Sequence, residues 1–204
     1  MTAEATVGDD TTPARRRPPY DAARLLDVAV AVFNERGYDG TSMEDLARAA
    51  GITKSSFYHH VDGKEALLSA ACDRALDALF AIRDEPTTNT GRAFDRFEHV
   101  LLRTTQTLLA ELPYVTLLLR VRGNTPIELA ALARRREFDR FTADLMAQAV
   151  ADGDLRADIE PAVATRLAFG MVNSLTEWYE PRRTTPSDVV AKATVGLILS
   201  GLRA

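Results

Sequence analysis

The stretch over residues 41–60 constrains the fold more than any other, because it holds two short capped segments separated by one glycine. Thr41, Ser42, Glu44 and Asp45 supply two overlapping capping boxes, Thr41 with Glu44 and Ser42 with Asp45, so a helix opens here and runs through Ala50. Gly51 ends it, and Thr53 is placed to cap a second short helix over residues 54–60. Such a pair crosses closely only if the crossing residues are small, and it leaves short polar side chains on the projecting face. Ala47, Ala50 and Gly51 meet the first need, and Leu46, Ile52 and Phe57 are spaced to face a small core. Lys54, Ser55, Ser56, Tyr58 and His59 are left outward. Residues 46–61 contain no acid but do contain Arg48, Lys54 and two histidines, so this face suits phosphate. A plain helical hairpin with a polar surface is the alternative.

The rest of the chain also reads as helix. Leu25, Ala29, Val32 and Phe33 recur at helical spacing ahead of Gly37, and Asp62 with Glu65 is placed to cap a fourth helix running to about Arg83. Residues 84–91, with Pro86 and Asn89, read as a loop, followed by helices over 92–112, 114–122, 126–152, 161–179 and 187–202. No alternating strand pattern occurs, so the fold class is all-α. Residues 1–19 have no apolar period and read as a disordered arm ending in Arg15, Arg16 and Arg17, or as a solubilising tail. Those arginines either touch DNA or are a solvated charge run.

Composition sets limits. With 46% hydrophobic and 26% charged residues over 204 positions, disorder is excluded as the main state. A net charge of -4 excludes a protein that coats nucleic acid indiscriminately, so any DNA binding is local. Charges such as Arg166 interrupt every apolar run before it reaches membrane-spanning length. With no secretory pattern and only Cys72, a cytoplasmic location is expected. Residues 152–158 fail as a calcium loop because Arg156 and Ala157 stand where a ligand and a glycine are required. No metal spacing or catalytic constellation occurs, so neither a cofactor nor an enzyme is expected.

The run Gly37-Tyr38-Asp39-Gly40-Thr41-Ser42-Met43-Glu44-Asp45-Leu46-Ala47, then residues 50–60 and Lys64-Glu65-Ala66-Leu67, resembles the TetR family, continuously over residues 25–68. Val61 and Gly63 depart from the family's commoner Phe and Ser. The resemblance implies a helix-turn-helix DNA-binding domain over residues 20–66 and an effector-binding and dimerisation domain over 67–204. It further implies a homodimer paired through the last two helices, on an operator with two half-sites. Ser42 and Lys64 then contact phosphate, Tyr58 and His59 contact the DNA backbone, and Lys54, Ser55 and Ser56 reach base edges.

The second half carries weaker patterns. Phe94, Phe97, Leu101, Leu102, Leu108 and Leu109, with Phe138, Phe141, Leu145 and Met146, line an apolar cavity or are only core. Residues 170–181, which include Asn173, resemble the corresponding helix of the TetR subset that senses acyl-coenzyme A thioesters. That resemblance implies cations near the cavity mouth, for which Arg120, Arg122, Arg134 and Arg135 are candidates; a neutral hydrophobic drug or lipid suits the same channel. Leu167, Met171, Leu175 and Trp178 make an apolar stripe beside Gly170 and Ser174, and Ala193, Gly196 and Ser200 repeat the small-residue pattern on the last helix, which suits close helix crossing between two copies. The expected function is a DNA-binding regulator of the repressor type that answers a small ligand. The rival is a helical small-molecule binding or catalytic protein with a vestigial DNA-binding unit.

Overall fold

The computed structural model describes residues 21–181 and 185–204. The arm with Arg15, Arg16 and Arg17 lies outside them, as do residues 182–184. In chain order the helices are α1 (Ala22–Arg36), α2 (Met43–Ala50), α3 (Lys54–Tyr58), α4 (Lys64–Phe80), α5 (Pro86–Asn89), α6 (Ala93–Ala110), α7 (Leu112–Arg120), α8 (Pro126–Ala151), α9 (Pro161–Trp178) and α10 (Ser187–Leu202), with a 3-10 turn over Ala81–Asp84. Among the described residues there is no strand, only an isolated bridge between Leu155 and Arg203. The all-α expectation therefore holds. No helix is long and apolar enough to cross a membrane among the described residues.

Local chemistry explains where element bounds differ from the sequence pattern. Of the two overlapping boxes only Ser42 with Asp45 forms, because the buried Thr41 hydroxyl instead donates to the Gly37 carbonyl at 2.7 Å. Asp62 is not a cap: Gly63 occupies the N-cap of α4 at φ 139°, with no side-chain bond. The fourth helix, expected to reach about Arg83, gives way to the 3-10 turn at Ala81, and the segment expected as a loop holds α5. Thr88, fully buried, donates to the Ile82 carbonyl at 2.6 Å, and Asn89 donates to the Arg83 carbonyl at 2.7 Å. The helix expected over 114–122 starts earlier, at Leu112, since Pro113 fits a first turn that needs no donor there.

Two clusters of buried side chains organise the fold. The first joins Leu25, Phe33, Leu46 and Phe57 of α1–α3 with Leu67, Leu68 and Ala71 of α4 and with Leu117 and Leu118 of α7. The second joins Phe97 and Leu101 of α6, Phe138 and Met146 of α8, Val172 of α9 and Ile198 of α10. α4 packs against both α7 and α8, so it links the small unit to the larger one. Cys72 is buried on it, and that burial pushes the thiol up to about 11, which leaves it inert near neutrality.

Candidate DNA interface and effector cavity

The α2–α3 turn is built by Gly51, which sits in the left-handed region at φ 71°. The N–H groups of Gly51 and Ile52 both return to the end of α2, at 3.1 Å from the Arg48 and Ala47 carbonyls. Phe57 is fully buried, which fixes the rotation of α3. Lys54, Ser55, Tyr58 and His59 are consequently exposed and Ser56 half-buried. Thr53 accepts from the Ser56 N–H at 3.1 Å and closes the start of α3. The outward face is the one expected from the sequence.

Ser42 and Lys64 are already engaged within the fold. The Ser42 hydroxyl accepts from the Asp45 N–H at 3.2 Å and donates to the Asp45 carboxylate, which also accepts from the Ser42 N–H at 3.1 Å. These bonds hold the Asp45 carboxyl below the usual aspartate range. The Lys64 ammonium donates to the Tyr38 carbonyl at 2.9 Å and lies 4.2 Å from that ring's centroid. One of its three protons is thereby committed.

A cavity of about 70 Å³ lies where α4, α6, α7, α8 and α9 meet. Ala75, Leu79, Leu108, Val115, Leu118, Phe138 and Phe169 form its apolar wall, and Thr104, Thr107, Arg135, Asp139 and Asn173 its polar part. Thr104 is 91% buried, with a relative exposure of 9%, and its hydroxyl has no hydrogen-bond partner. Arg135 reaches the Leu118 carbonyl only at 3.4 Å, and burial lowers its pKa from the usual arginine value. One turn on, the Asp139 side chain is open to solvent at its outer edge, yet burial between the helices raises its carboxyl, against the pull of Arg135 and Arg166.

The same Arg135, Asp139, Phe169 and Asn173 form one end of an open groove between α8 and α9, whose further lining includes Arg136, Arg140, Thr165, Arg166 and Gly170. The cavity and the groove thus have these four lining residues in common.

Of the side chains expected to hold a ligand, Asn173 and, among the candidate cations, Arg135 line this cavity. Phe97 and Leu101 of α6 and Met146 of α8 are fully buried in the second cluster, in the packed interior that α6 shares with α8 and α10. Phe141 is half-buried beside Phe138, with ring centroids 5.9 Å apart. Arg120 lies by the small unit and donates to the Asn34 carbonyl of α1, while Arg134 is taken up by Asp73 and Asp77 at 3.1 and 2.6 Å. Leu108 and Phe138, named above as cavity or core, do line it. Arg136, Arg140, Arg166 and Thr104 were missed. The closely spaced arginines of α8 were the available signal, but a helix face rich in charge is ordinarily just solvated.

On α9 and α10 the apolar stripe faces out. Leu167 is 64% exposed, Met171 45%, Trp178 54% and Leu197 69%. Gly170, Ser174, Ala193, Gly196 and Ser200 are exposed among them, while Leu175, on the other side of α9, is buried.

Residues 25–71 match the family model described as bacterial regulatory proteins, tetR family, and residues 90–202 match the tetracyclin repressor-like C-terminal domain. The HTH-type transcriptional repressor KstR2 of Rhodococcus jostii strain RHA1 is 29% identical over 185 residues, which cover 87% of this chain and 89% of that protein. The crystal structure of a TetR-family transcriptional regulator from Streptomyces coelicolor A3 is 57% identical, with a TM-score of 0.83 over 88% of this chain and 91% of that one. AibR, crystallised with isovaleryl coenzyme A and operator DNA, is 24% identical with a TM-score of 0.73 over 86% of this chain and 96% of that one; at that identity the likeness is one of fold.

Proposed function

The chain belongs to the TetR family and is a DNA-binding transcriptional regulator rather than an enzyme, and from that premise we propose that it is a homodimeric repressor released from a two-half-site operator by a small ligand. The observation that carries the reading is the acid-free face of α3, with Lys54, Ser55, Tyr58 and His59 projecting from a turn locked by Gly51 and the buried Phe57. Residues 20–66 read the DNA, and 67–204 hold the ligand and pair the two copies through the exposed stripe of α9 and α10. Ser42 and Lys64 orient the start of α2 and the 38–40 turn. Phosphate is met by the backbone amides at the helix starts together with the uncommitted protons of Lys64.

The ligand enters the cavity with its apolar part. Coupling to DNA runs through α7, whose Val115 and Leu118 line the cavity while its other side is bonded to α1. There the Tyr114 hydroxyl donates to Asp27 at 2.5 Å, the Asn34 amide donates to the Pro113 carbonyl at 2.8 Å, and Arg120 donates to the Asn34 carbonyl. A ligand that displaces α7 therefore moves α1 with it, and release needs only that the ligand favour one dimer shape over the other. AibR, with its thioester and operator DNA, supports a ligand and an operator being served by one such fold.

A mobility-shift assay with the DNA upstream of the protein's own gene tests the reading. Wild type is expected to shift it. Tyr58→Ala and Lys64→Ala should each weaken binding while leaving the dimer intact, with Lys64→Ala lowering the salt slope by about one unit if one phosphate contact is lost. Unchanged affinity in both variants would remove the assigned face.

A further inference from the structure

We infer that the cleft where the small unit meets α7 and α8 is a second ligand site, that its occupant is an amino acid with a short apolar side chain, and that occupancy is linked to operator binding. The cleft, of about 130 Å³, is lined from the small unit by Phe33 of α1 and the 37–39 turn, from α4 by Leu68, and from the larger unit by Leu117 of α7, the 121–124 turn and Glu128 of α8. It shares no lining residue with the cavity between α4, α6, α7, α8 and α9.

A buried carboxylate is the first observation. Glu128 lines the cleft and is only 6% exposed. Its Oε2 accepts from the Gly123 N–H at 3.1 Å and from the Asn124 N–H, whereas its Oε1 has no hydrogen-bond partner, and no cation lies within 4.0 Å of either oxygen, among the described residues. A carboxylate taken out of water without a cation is costly, and an ammonium brought to Oε1 offsets that cost through a charge-assisted bond. Asp39, exposed at the cleft, is a second carboxylate without an ion pair among the described residues. Burial, with the nearby carboxylates of Glu65, Asp39 and Glu128, raises the Tyr38 phenol above its ordinary value, so the surroundings of this ring are electronegative. Lys64, over the same ring, forms an ion pair with none of the three.

The second observation is charge of the opposite sign bordering the same space. Arg122, which is exposed, and Arg120, which donates to the Asn34 carbonyl, both line the cleft, and neither is ion-paired with Asp39 or Glu128. Charges of both signs that border one space without meeting suit an ion that carries both, with its ammonium at Glu128 and its carboxylate on the guanidinium fork of Arg122. Phe33, Leu68, Leu117 and Val121 supply an apolar wall for the rest of the molecule. The space holds about nine to thirteen water-sized groups, which suits a molecule the size of leucine and is too little for one of drug size. A bare amine leaves the arginines unanswered, and a bare carboxylate meets Glu128.

Position gives the site its consequence. α1 is tied to α7 by the Tyr114–Asp27 and Asn34–Pro113 bonds, and Phe33 and Leu117, on the same two helices, both border the cleft. An occupant held by Glu128 and Arg122 while packed on Phe33 touches both units at once. Its contacts therefore differ between arrangements of the small unit, and its binding and that of operator DNA are coupled reciprocally.

Calorimetric titration of the full chain with L-leucine, glycine, isoamylamine and isocaproic acid tests the site. Leucine should bind. Glycine, which lacks the apolar part, the amine, which lacks the carboxylate, and the acid, which lacks the ammonium, should each bind at least about tenfold more weakly. Arg122→Gln, at an exposed position, should weaken leucine about tenfold and leave isoamylamine unchanged. Glu128→Gln keeps an oxygen for the Gly123 and Asn124 N–H groups, and should weaken leucine about tenfold while isocaproic acid binds no worse. In a mobility-shift assay, saturating leucine should change operator affinity at least about threefold, and glycine at the same concentration should not. No binding of leucine at about 1 mM, or leucine affinity undiminished in both variants, overturns the site. Should Glu128→Gln fail to fold, Arg122→Gln and the two analogues still decide. Leucine bound with operator affinity unchanged overturns the link to DNA.

Discussion

At the scale of single residues, the same side-chain type does different work according to what lies within reach. Arg134 and Arg135 are neighbours in sequence, yet Arg134 is paired with Asp73 and Asp77 while Arg135 lines the cavity between α4 and α6–α9. Asp139 shows the cost of such a placement. Its carboxyl is raised by burial, so between the ordinary aspartate value and the raised one the folded chain binds more protons than the unfolded chain, and stability falls as pH rises through that window. The cost is fully present near neutrality. Asp139→Asn is accordingly expected to melt at a higher temperature than wild type at about pH 7, with the gap narrowing as pH is lowered towards the raised value. Equal melting curves across that range would show that the carboxyl is not held up by its surroundings.

Among the elements, α7 has two jobs set by its two sides. Leu118 and Val115 close the cavity, and Tyr114, Pro113 and Arg120 reach α1 or the groups around it. Tyr114 also stacks under Arg74 of α4, with 4.1 Å from guanidinium carbon to ring centroid, and Arg74 in turn holds Glu111 at 2.8 Å. Burial, reinforced by the bond to Asp27, pushes the Tyr114 phenol up to about 12, so it remains a donor at any working pH. Tyr114→Phe keeps the ring and removes only the donor. It should leave operator affinity within about threefold of wild type and lose most of the ligand-induced release. Binding titrations with and without ligand separate the two effects, and an unaltered ligand response would show that the Tyr114–Asp27 bond does not carry the coupling.

For the whole molecule, the open question of chemistry is what covers α9 and α10. Leu167, Met171, Trp178 and Leu197 together expose more apolar surface than isolated surface residues do, and small residues run beside them. Added Cβ atoms at Gly170 and Gly196 meet nothing within 4 Å in the protomer. Gly196→Leu therefore strains nothing in the protomer and even raises helix propensity, while it obstructs a close helix crossing between copies. Sedimentation of Gly196→Leu and Gly170→Leu is expected to give a folded monomer with operator affinity lowered at least about tenfold, since two half-sites are no longer held together. Dimers that persist in both variants would move the interface elsewhere.

The helix-turn-helix was legible in the sequence because its determinants are local. Ser42 with Asp45, Gly51, Thr53 and Phe57 act within a few residues of one another, so spacing alone specifies a capped helix, a left-handed turn and a buried anchor. The outward stripe of α9 was legible for a similar reason, since periodicity on one helix sorts a covered side from an open one. The lining of the cavity was not. Phe97 and Leu101 look like cavity walls in a list of apolar residues, but whether an apolar side chain borders a void or fills one depends on what three other helices bring against it. Arg120 and Arg135 are equivalent as sequence, and only the crossing of α8 over α9 brings Arg135, Arg140 and Arg166 to one groove while α1 claims Arg120. Capping and periodicity are nearest-neighbour properties of one chain segment, whereas a cavity and the charge at its mouth are properties of the space between segments, which tertiary packing alone decides.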